Sequence, residues 1–372
     1  MSRQYVIPIF VPHLGCPNDC IFCNQKSISG QMKQVTEEEV EKTINEFLRS
    51  FKEEKLYTEI AFFGGSFTGI DIETQERLLK VAYKYVKDKK VDGIRVSTRP
   101  DYIDKEKLKL LKKYGVKTIE LGVQSTNDYI LNRAKRGHTF ADVKKASKLI
   151  RRYGFTLGHQ MMIGLPESTW LDELNTAKDL AKLKPKIVRL YPVLVIKRTE
   201  LEKEFAKGEY HPITLDQAVE RCKELYFFFN SKKITVIRMG LQNTDIISNP
   251  ENINSEVAAG PYHEAFGQLV EDSIWYDTIL AAIKKVNTKV AMIEIEANPE
   301  DVNNIIGHKK ENIKKFKDTY EVEVKVKQNN DIRPGKFKLN IIKTYKEFLD
   351  DWCKIPVGDI FIVKIYHQLG LK

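Results

Sequence analysis

From residue 5 to residue 241, short β-branched and aromatic runs alternate with longer stretches of helical periodicity. That alternation constrains the fold more than any other property of the 372-residue chain. The strand candidates are YVIPIFV (5–11), TEIAFFGG (58–65), GIRVSTR (93–99), TIELGVQS (118–125), TLGHQMMIG (156–164), KIVRLYPVLVI (186–196) and TVIRMGL (235–241). Strands separated by helices pair in parallel through right-handed crossovers, so the sequence predicts an α/β fold closing into a full or partial barrel. Helix starts are marked by Thr36 with Glu39 and by Thr139 with Asp142, the spacing at which a hydroxyl caps the first amides and an acid reaches back.

In parallel α/β folds the chemistry gathers at the carboxyl ends of the strands. The cysteine-rich stretch LGCPNDCIFC (14–23) follows the first strand, Gly64, Gly65 and Ser66 end the second, and Ser97 to Pro100, with Arg99, end the third. Glu120 and Gln124 lie on the fourth, His159, Gln160 and Gly164 on the fifth, and Tyr191, Lys197 and Arg198 on or beyond the sixth.

The chain has five cysteines, an odd number, with Cys16, Cys20 and Cys23 on one loop. This is no disulfide framework, and a clustered set in a reducing compartment binds metal or does redox chemistry. Structural zinc is closed by four ligands, usually two pairs from separate segments, whereas a cubane iron–sulfur cluster needs one ligand per iron. Three thiolates hold three irons and leave the fourth open to a substrate or cosubstrate; a structural zinc or an electron-carrying cluster is the alternative. Cys222 falls on a helical stripe with Leu215, Val219, Tyr226 and Phe229 and reads as a small buried hydrophobe. Cys353, in DDWCKIP, has no ligand companion beside it.

The spacing Cys-x3-Cys-x2-Cys, with Phe22 before the last cysteine, resembles the motif of the radical S-adenosylmethionine (SAM) superfamily. The resemblance implies a partial (β/α) barrel, a [4Fe-4S] cluster on Cys16, Cys20 and Cys23, and SAM chelated by the open iron. It further implies cleavage of SAM to methionine and a 5′-deoxyadenosyl radical, with electrons from a donor such as a flavodoxin or ferredoxin. Gly64, Gly65 and Ser66 match the glycine pair that meets the SAM amino group, Arg99 is expected to fork the SAM carboxylate, and Glu120 and Gln124 to contact its ribose and methionine parts. Gly164 matches a turn beside the adenine. VSTRPDYI, IELGVQST, AKRGHTFADV, GFTLGHQMMIGLP and LYPVLVIKRTEL together are similar to the barrel of the Elongator catalytic (third) subunit family, which modifies wobble uridines of tRNA. The resemblance runs from about residue 5 to 240 and implies an RNA substrate, tRNA above all, with Lys197 and Arg198 contacting substrate or cofactor. Two features differ from that family: the gap between Cys16 and Cys20 is shorter, and no glycine-rich pyrophosphate loop of an acetyltransferase follows residue 250.

Charge is unevenly spread. Between residues 306 and 346 there are twelve Lys and Arg against five Asp and Glu, which places +7 of the net +10 in that stretch. The order strand (AMIEIE), helix (PEDVNNII), basic turn (Gly307, His308, Lys309, Lys310), helix (ENIKKFKDTY) and two strands resembles a KH module, a small α+β unit that grips single-stranded RNA through a Gly-x-x-Gly turn. Lys310 stands at the second glycine, and Gly307, His308, Lys309, Lys310 and Lys314 are expected RNA contacts, or else the lysines are a solvated helix face. The domain boundaries follow: a barrel over 1–245, a bridging segment over 246–288, the KH-like domain over 289–350 and a tail over 351–372. No apolar run approaches the ~20 residues of a membrane span, and the first residues lack a signal-peptide pattern, so the expected place is the cytoplasm with no membrane partner. Two other functions stay open: radical chemistry on a small molecule or peptide, and a non-catalytic RNA-binding protein stapled by metal.

Overall fold

The computed structural model describes residues 4–11, 20–23, 35–50, 57–241, 247–286 and 288–347. Cys16, Cys353 and the expected tail lie outside these residues. The chain divides into two compact units, Ser2–Val270 and Glu271–Lys372.

The first unit is built on a seven-stranded sheet in the order β1-β2-β3-β4-β5-β6-β8, every pairing parallel. The strands are β1 (Gln4–Val11), β2 (Tyr57–Gly64), β3 (Gly93–Thr98), β4 (Val116–Gln124), β5 (Thr156–Ile163), β6 (Ile187–Pro192) and β8 (Thr235–Met239). Helices α1 (Glu37–Ser50), α2 (Ile72–Lys87), α3 (Lys105–Lys113), α4 (Asp128–Arg133), α5 (Phe140–Arg152), α6 (Trp170–Lys182), α7 (Glu200–Ala206) and α8 (Leu215–Ser231) fill the crossovers. This is the α/β partial barrel expected from the alternation, with β1 and β8 as the two ends of the strand order. The caps also stand where the sequence marks them. Thr36 and Glu39 exchange backbone–side-chain hydrogen bonds of 2.9 and 3.2 Å, and Thr139 with Asp142 closes a capping box on α5.

One strand departs from expectation. The run 186–196 breaks after Pro192, and Val195–Ile196 leaves the sheet as β7 to pair antiparallel with β9 (Val257–Ala259). Proline has no N–H to extend a ladder, and Val193 to Ile196 turn instead into two apolar clusters, at most 7% exposed.

Strand parity sorts the side chains. Ile60, Phe62, Ile94, Val96, Ile119 and Leu121 are fully buried, while the residues between them, Glu59, Arg95 and Glu120, point to the opposite face and are equally hidden. His159 shares parity with Leu157 and Met161, and its Nε2 meets Ser147 Oγ on α5 at 2.9 Å. It therefore belongs to the layer between sheet and helices. Cys222 is buried, and burial pushes its thiol up.

The second unit carries a three-stranded sheet ordered β11-β10-β12 from β10 (Val290–Ala297), β11 (Glu323–Gln328) and β12 (Phe337–Thr344). β10 runs parallel to β11 and antiparallel to β12. Helices α10 (Pro299–Ile306) and α11 (Glu311–Tyr320) connect β10 to β11, and Ile293, Ile295, Ile305 and Phe316 make the core. The helix before this sheet, α9, is Phe266–Lys284. Among the described residues no helix is long and apolar enough to cross a membrane.

His159 gives a pH signature. Burial pushes its pKa down from 6.5 to about 3, so the folded chain refuses a proton that the unfolded chain takes below pH 6.5. Its contribution is intact above that pH and is lost progressively as the pH falls toward 3. In chemical denaturation at pH 7 and pH 5.5, the stability advantage of wild type over His159→Gln should shrink by about 1.3 kcal/mol at the lower pH. An advantage that stays constant contradicts a buried, neutral imidazole.

Candidate active site

The inner face of the sheet is held by ions. Arg95 donates from Nε and Nη2 to Glu59 Oε2 at 2.8 and 2.5 Å and from Nη1 to Glu120 Oε1 at 2.7 Å. Arg189 reaches Glu120 from the other side, Nε to Oε2 at 2.5 Å and Nη2 to Oε1 at 3.1 Å, and its guanidinium lies 5.1 Å from the Phe63 ring. Thr118 donates to Glu59 Oε1 at 2.8 Å, and Gln160 Nε2 donates to Glu120 Oε2 at 3.1 Å. Burial opposes ionisation of Glu120, but the Arg189 and Arg95 charges override it and hold its carboxyl below the ordinary range. With four hydrogen bonds accepted inside the protein, Glu120 ties β3, β5 and β6 to β4 instead of facing an open mouth.

At the carboxyl ends, Gly64 has φ +111°, and a Cβ there would meet Val11 O at 2.3 Å. The glycine lets the end of β2 lie against the end of β1, where the cysteine loop departs, and Gly65 N donates back to Val11 O at 3.4 Å. Ser66 is buried and ties the ends of β2 and β3, its Oγ meeting Thr98 Oγ1 at 2.7 Å and accepting from Arg99 N at 3.1 Å. Arg99 forks Asp101 with two 2.9 Å hydrogen bonds. Gln124 ends β4 with φ +72°, and its Oε1 is buried with no hydrogen-bond partner among the described residues. Gly164 donates to Glu173 Oε1 at 2.7 Å and accepts from Tyr210 Oη at 2.7 Å, so its turn is pinned on both sides. Lys197 donates to Ser255 O at 2.6 Å and Arg198 to Glu256 Oε2 at 2.6 Å, so both basic side chains hold the segment before β9.

Of the three loop cysteines, Cys20 and Cys23 are described. Cys20 is 4% exposed, and Cys23 N donates to Cys20 O at 2.9 Å in a tight turn. Arg136, from the loop between α4 and α5, donates from Nη1 to Cys20 Sγ at 3.3 Å and from Nη2 to Gly122 O at 2.8 Å. His138 donates from Nε2 to Val123 O at 3.2 Å, which leaves Nδ1 as the bare nitrogen. Burial, then the charges of Arg136 and Arg99, push His138 down to about 4. The site is thus electropositive around a buried thiol, with an orphaned amide oxygen in Gln124. That set fits an anionic thiolate-bound cluster and a polar cosubstrate beside it.

A small cleft opens beyond the ends of β6 and β8, lined by Pro192, Leu194, Gly240, Tyr262, His263 and Phe266 among others. In the second unit, Gly307, Lys309 and Lys310 all have left-handed φ, at +79°, +50° and +62°. Asn312 Nδ2 donates to Asn304 O at 3.1 Å and Ile305 O at 3.3 Å, and His308 N donates to Asp272 Oδ2 at 2.7 Å. The turn is therefore fastened beneath, while Lys309, Lys310 and Lys314 are exposed and His308 is half-buried.

Sequence reasoning did not single out Arg136, Arg95, Glu59 or Arg189. Within each strand, alternation sets Glu59, Arg95, Glu120 and Arg189 opposite the apolar positions, a signal the sequence carries; Arg136 meets a partner 116 positions away, which no local pattern reveals.

The radical SAM superfamily profile matches residues 10–180, and the radical SAM C-terminal domain profile matches residues 185–276. A Methanocaldococcus jannaschii protein of uncharacterised function is 33% identical over 230 residues, 58% of this chain and 68% of that one. The tRNA uridine(34) acetyltransferase of the same organism is 31% identical over 182 residues, 44% of this chain. This chain covers 34% of that enzyme's length. The structure of Methanocaldococcus infernus Elp3 superposes with TM-score 0.58 at 22% identity, covering 77% of this chain and 63% of the other, a likeness of fold.

The ion lattice sets a stability test. Glu120→Gln leaves two buried guanidiniums with their shared carboxylate gone, and losing one partner of a buried ionic network costs about 3–5 kcal/mol. Urea denaturation of the ligand-free chain should show that loss. Unchanged stability would mean that Glu120 is not a structural tie.

Proposed function

The chain belongs to the radical SAM superfamily, whose cofactors are a [4Fe-4S] cluster and SAM, and on that premise we propose that it is an enzyme modifying a base in RNA, with tRNA as the substrate. Cys16, Cys20 and Cys23 are the residues that would hold the cluster. When bound, cluster and cosubstrate supply reductive cleavage of the sulfonium to methionine and a 5′-deoxyadenosyl radical, which abstracts hydrogen. The chain's own part is ligation, orientation and exclusion of water. The backbone at Gly64 and Gly65 and the buried carboxamide oxygen of Gln124 would receive the polar end of the cosubstrate, and the pinned turn at Gly164 would face its adenine.

The observation that carries the RNA substrate is the 31% identity over 182 residues with an enzyme named for uridine 34 of tRNA. The basic turn supports it. Lys310 adopts the left-handed backbone that glycine takes readily, so the turn keeps its shape while offering a charge to phosphate where a second glycine would offer close approach. Acetyl transfer is not part of the proposal, because the chain spans only about a third of that enzyme. The cytoplasm is the proposed compartment, consistent with a tRNA substrate, and a flavodoxin- or ferredoxin-type protein is the proposed electron donor.

The test is a comparison of nucleosides from total tRNA of cells with and without the gene, by mass spectrometry. A modified nucleoside should disappear on deletion and return on complementation. An unchanged nucleoside profile contradicts the tRNA substrate and favours radical chemistry on a small molecule or peptide.

A further inference from the structure

Arg136 meets the cysteine loop from outside it. It is 7% exposed, sits in the loop between α4 and α5, and spans two anchors with one planar guanidinium: the sulfur of Cys20 and the carbonyl of Gly122 on β4. The approach is built into the local structure. Gly122 has no side chain, and a Cβ there would lie 3.3 Å from Arg136 Nη2 and 3.3 Å from Gln124 Nε2. Backbone contacts fix the same neighbourhood: Ile21 N donates to Ala134 O at 3.4 Å, Leu201 N donates to Ile21 O at 2.8 Å, and Ile21 is buried among Ile130, Ala134, Leu165 and Leu201. The segment that carries Cys20 is thus fastened to the end of α4, three residues before Arg136, and the guanidinium meets Cys20 Sγ from there.

We propose that Arg136 is the positioning residue that sets the reduction potential of the cluster, by donating a charge-assisted hydrogen bond to the sulfur of Cys20 while clamping that sulfur to β4. This rests on Cys20 being a cluster ligand. The physical basis is the difference in charge between two oxidation states. A cluster on three thiolates becomes more negative by one charge on reduction, and some of that charge resides on the ligand sulfurs. A buried cation donating N–H to one of those sulfurs stabilises the reduced form more than the oxidised one, because water is excluded and screening is weak. Arg136 takes part in no bond making or breaking; the electron comes from the external donor, and Arg136 shifts how readily the cluster accepts it. The second hydrogen bond, to Gly122 O, matters as much as the first. A single-point cation would swing away from the sulfur, whereas the guanidinium fork is locked. Removing either partner of a ligand from its outer shell is enough to retune a metal site.

The test uses the full chain reconstituted without air as wild type, Arg136→Lys and Arg136→Met. Iron and sulfide are counted first. An electron paramagnetic resonance redox titration then follows, without SAM, so that neither cleavage activity nor substrate enters the readout. In Arg136→Met the reduced-to-oxidised ratio at a fixed poise should fall about tenfold or more, which for one electron is a drop of about 59 mV in midpoint. Arg136→Lys keeps the charge and loses the fork, and should fall in the same direction by less. Equal midpoints in all three proteins overturn the proposal. Should Arg136→Met fail to take up iron, the lysine variant decides, and a midpoint equal to wild type again overturns it. Failure of the ligand assignment is separately visible: wild type without a cluster, or Cys20→Ala with an undiminished one, is seen in the iron count before any potential is measured, and removes both readings together.

Discussion

Two glutamates and two arginines, buried on the inner face of the sheet, are the constraint on which the rest depends. Glu59, Arg95, Glu120 and Arg189 come from β2, β3, β4 and β6, and no pair of them makes sense alone. Taking such charges out of water costs several kcal/mol each, and the attraction between them offsets this only when geometry is close and the remaining donors are satisfied. Here both conditions hold, with Thr118 and Gln160 completing the acceptors. The lattice therefore works as a register device. A strand slipped by one residue would present an isoleucine or valine where an arginine must meet a carboxylate, and would bury the charges against helices.

Register set in this way places the carboxyl ends of the strands at one level. Gly64 then lies against Val11, Ser66 against Thr98, and Gln124 leaves β4 with its amide oxygen uncommitted. The cysteine loop springs from the end of β1 and returns, at Ile21, into an apolar cluster beneath the loop after β6. Two kinds of group are thereby separated along the strands: charges in the lower barrel hold the sheet, while the upper ends carry the backbone, thiol and amide groups of the candidate site. Glu120 belongs to the first class, although its place on β4 next to Gln124 made it look like the second.

Much of this was legible in the sequence, and the reasons differ by feature. Strand and helix alternation is a property of local periodicity, so the seven strands of the barrel were readable to within two residues at most boundaries. The exception, 186–196, contained its own explanation in Pro192, which ends a ladder whatever surrounds it. His159 looked functional because a histidine stood near a strand end, but its parity with Leu157 and Met161 assigned it to the helix side, and that signal was available. The ion lattice was half legible: parity gave the face, while the partners depended on how far the sheet curls. Arg136 was illegible, since its meeting with Cys20 arises only when the loop after β4 folds over the loop after β1. Arg99, Lys197 and Arg198 show the same limit from the other side. Each is a basic residue at a suggestive place; Lys197 and Arg198 are engaged by a carbonyl and a carboxylate 58 positions away that only the fold brings near, whereas Arg99 takes a carboxylate two residues along its own chain.

The central claim is that three thiolates leave one iron of a cluster open to SAM. The most direct measurement reconstitutes the purified chain without air, confirms a full iron complement, adds dithionite and SAM, and quantifies 5′-deoxyadenosine. Wild type should form it together with methionine, and Cys20→Ala, still folded by circular dichroism, should form none. A chain carrying its full cluster that yields no 5′-deoxyadenosine, or a Cys20→Ala variant that yields as much as wild type, would contradict the account.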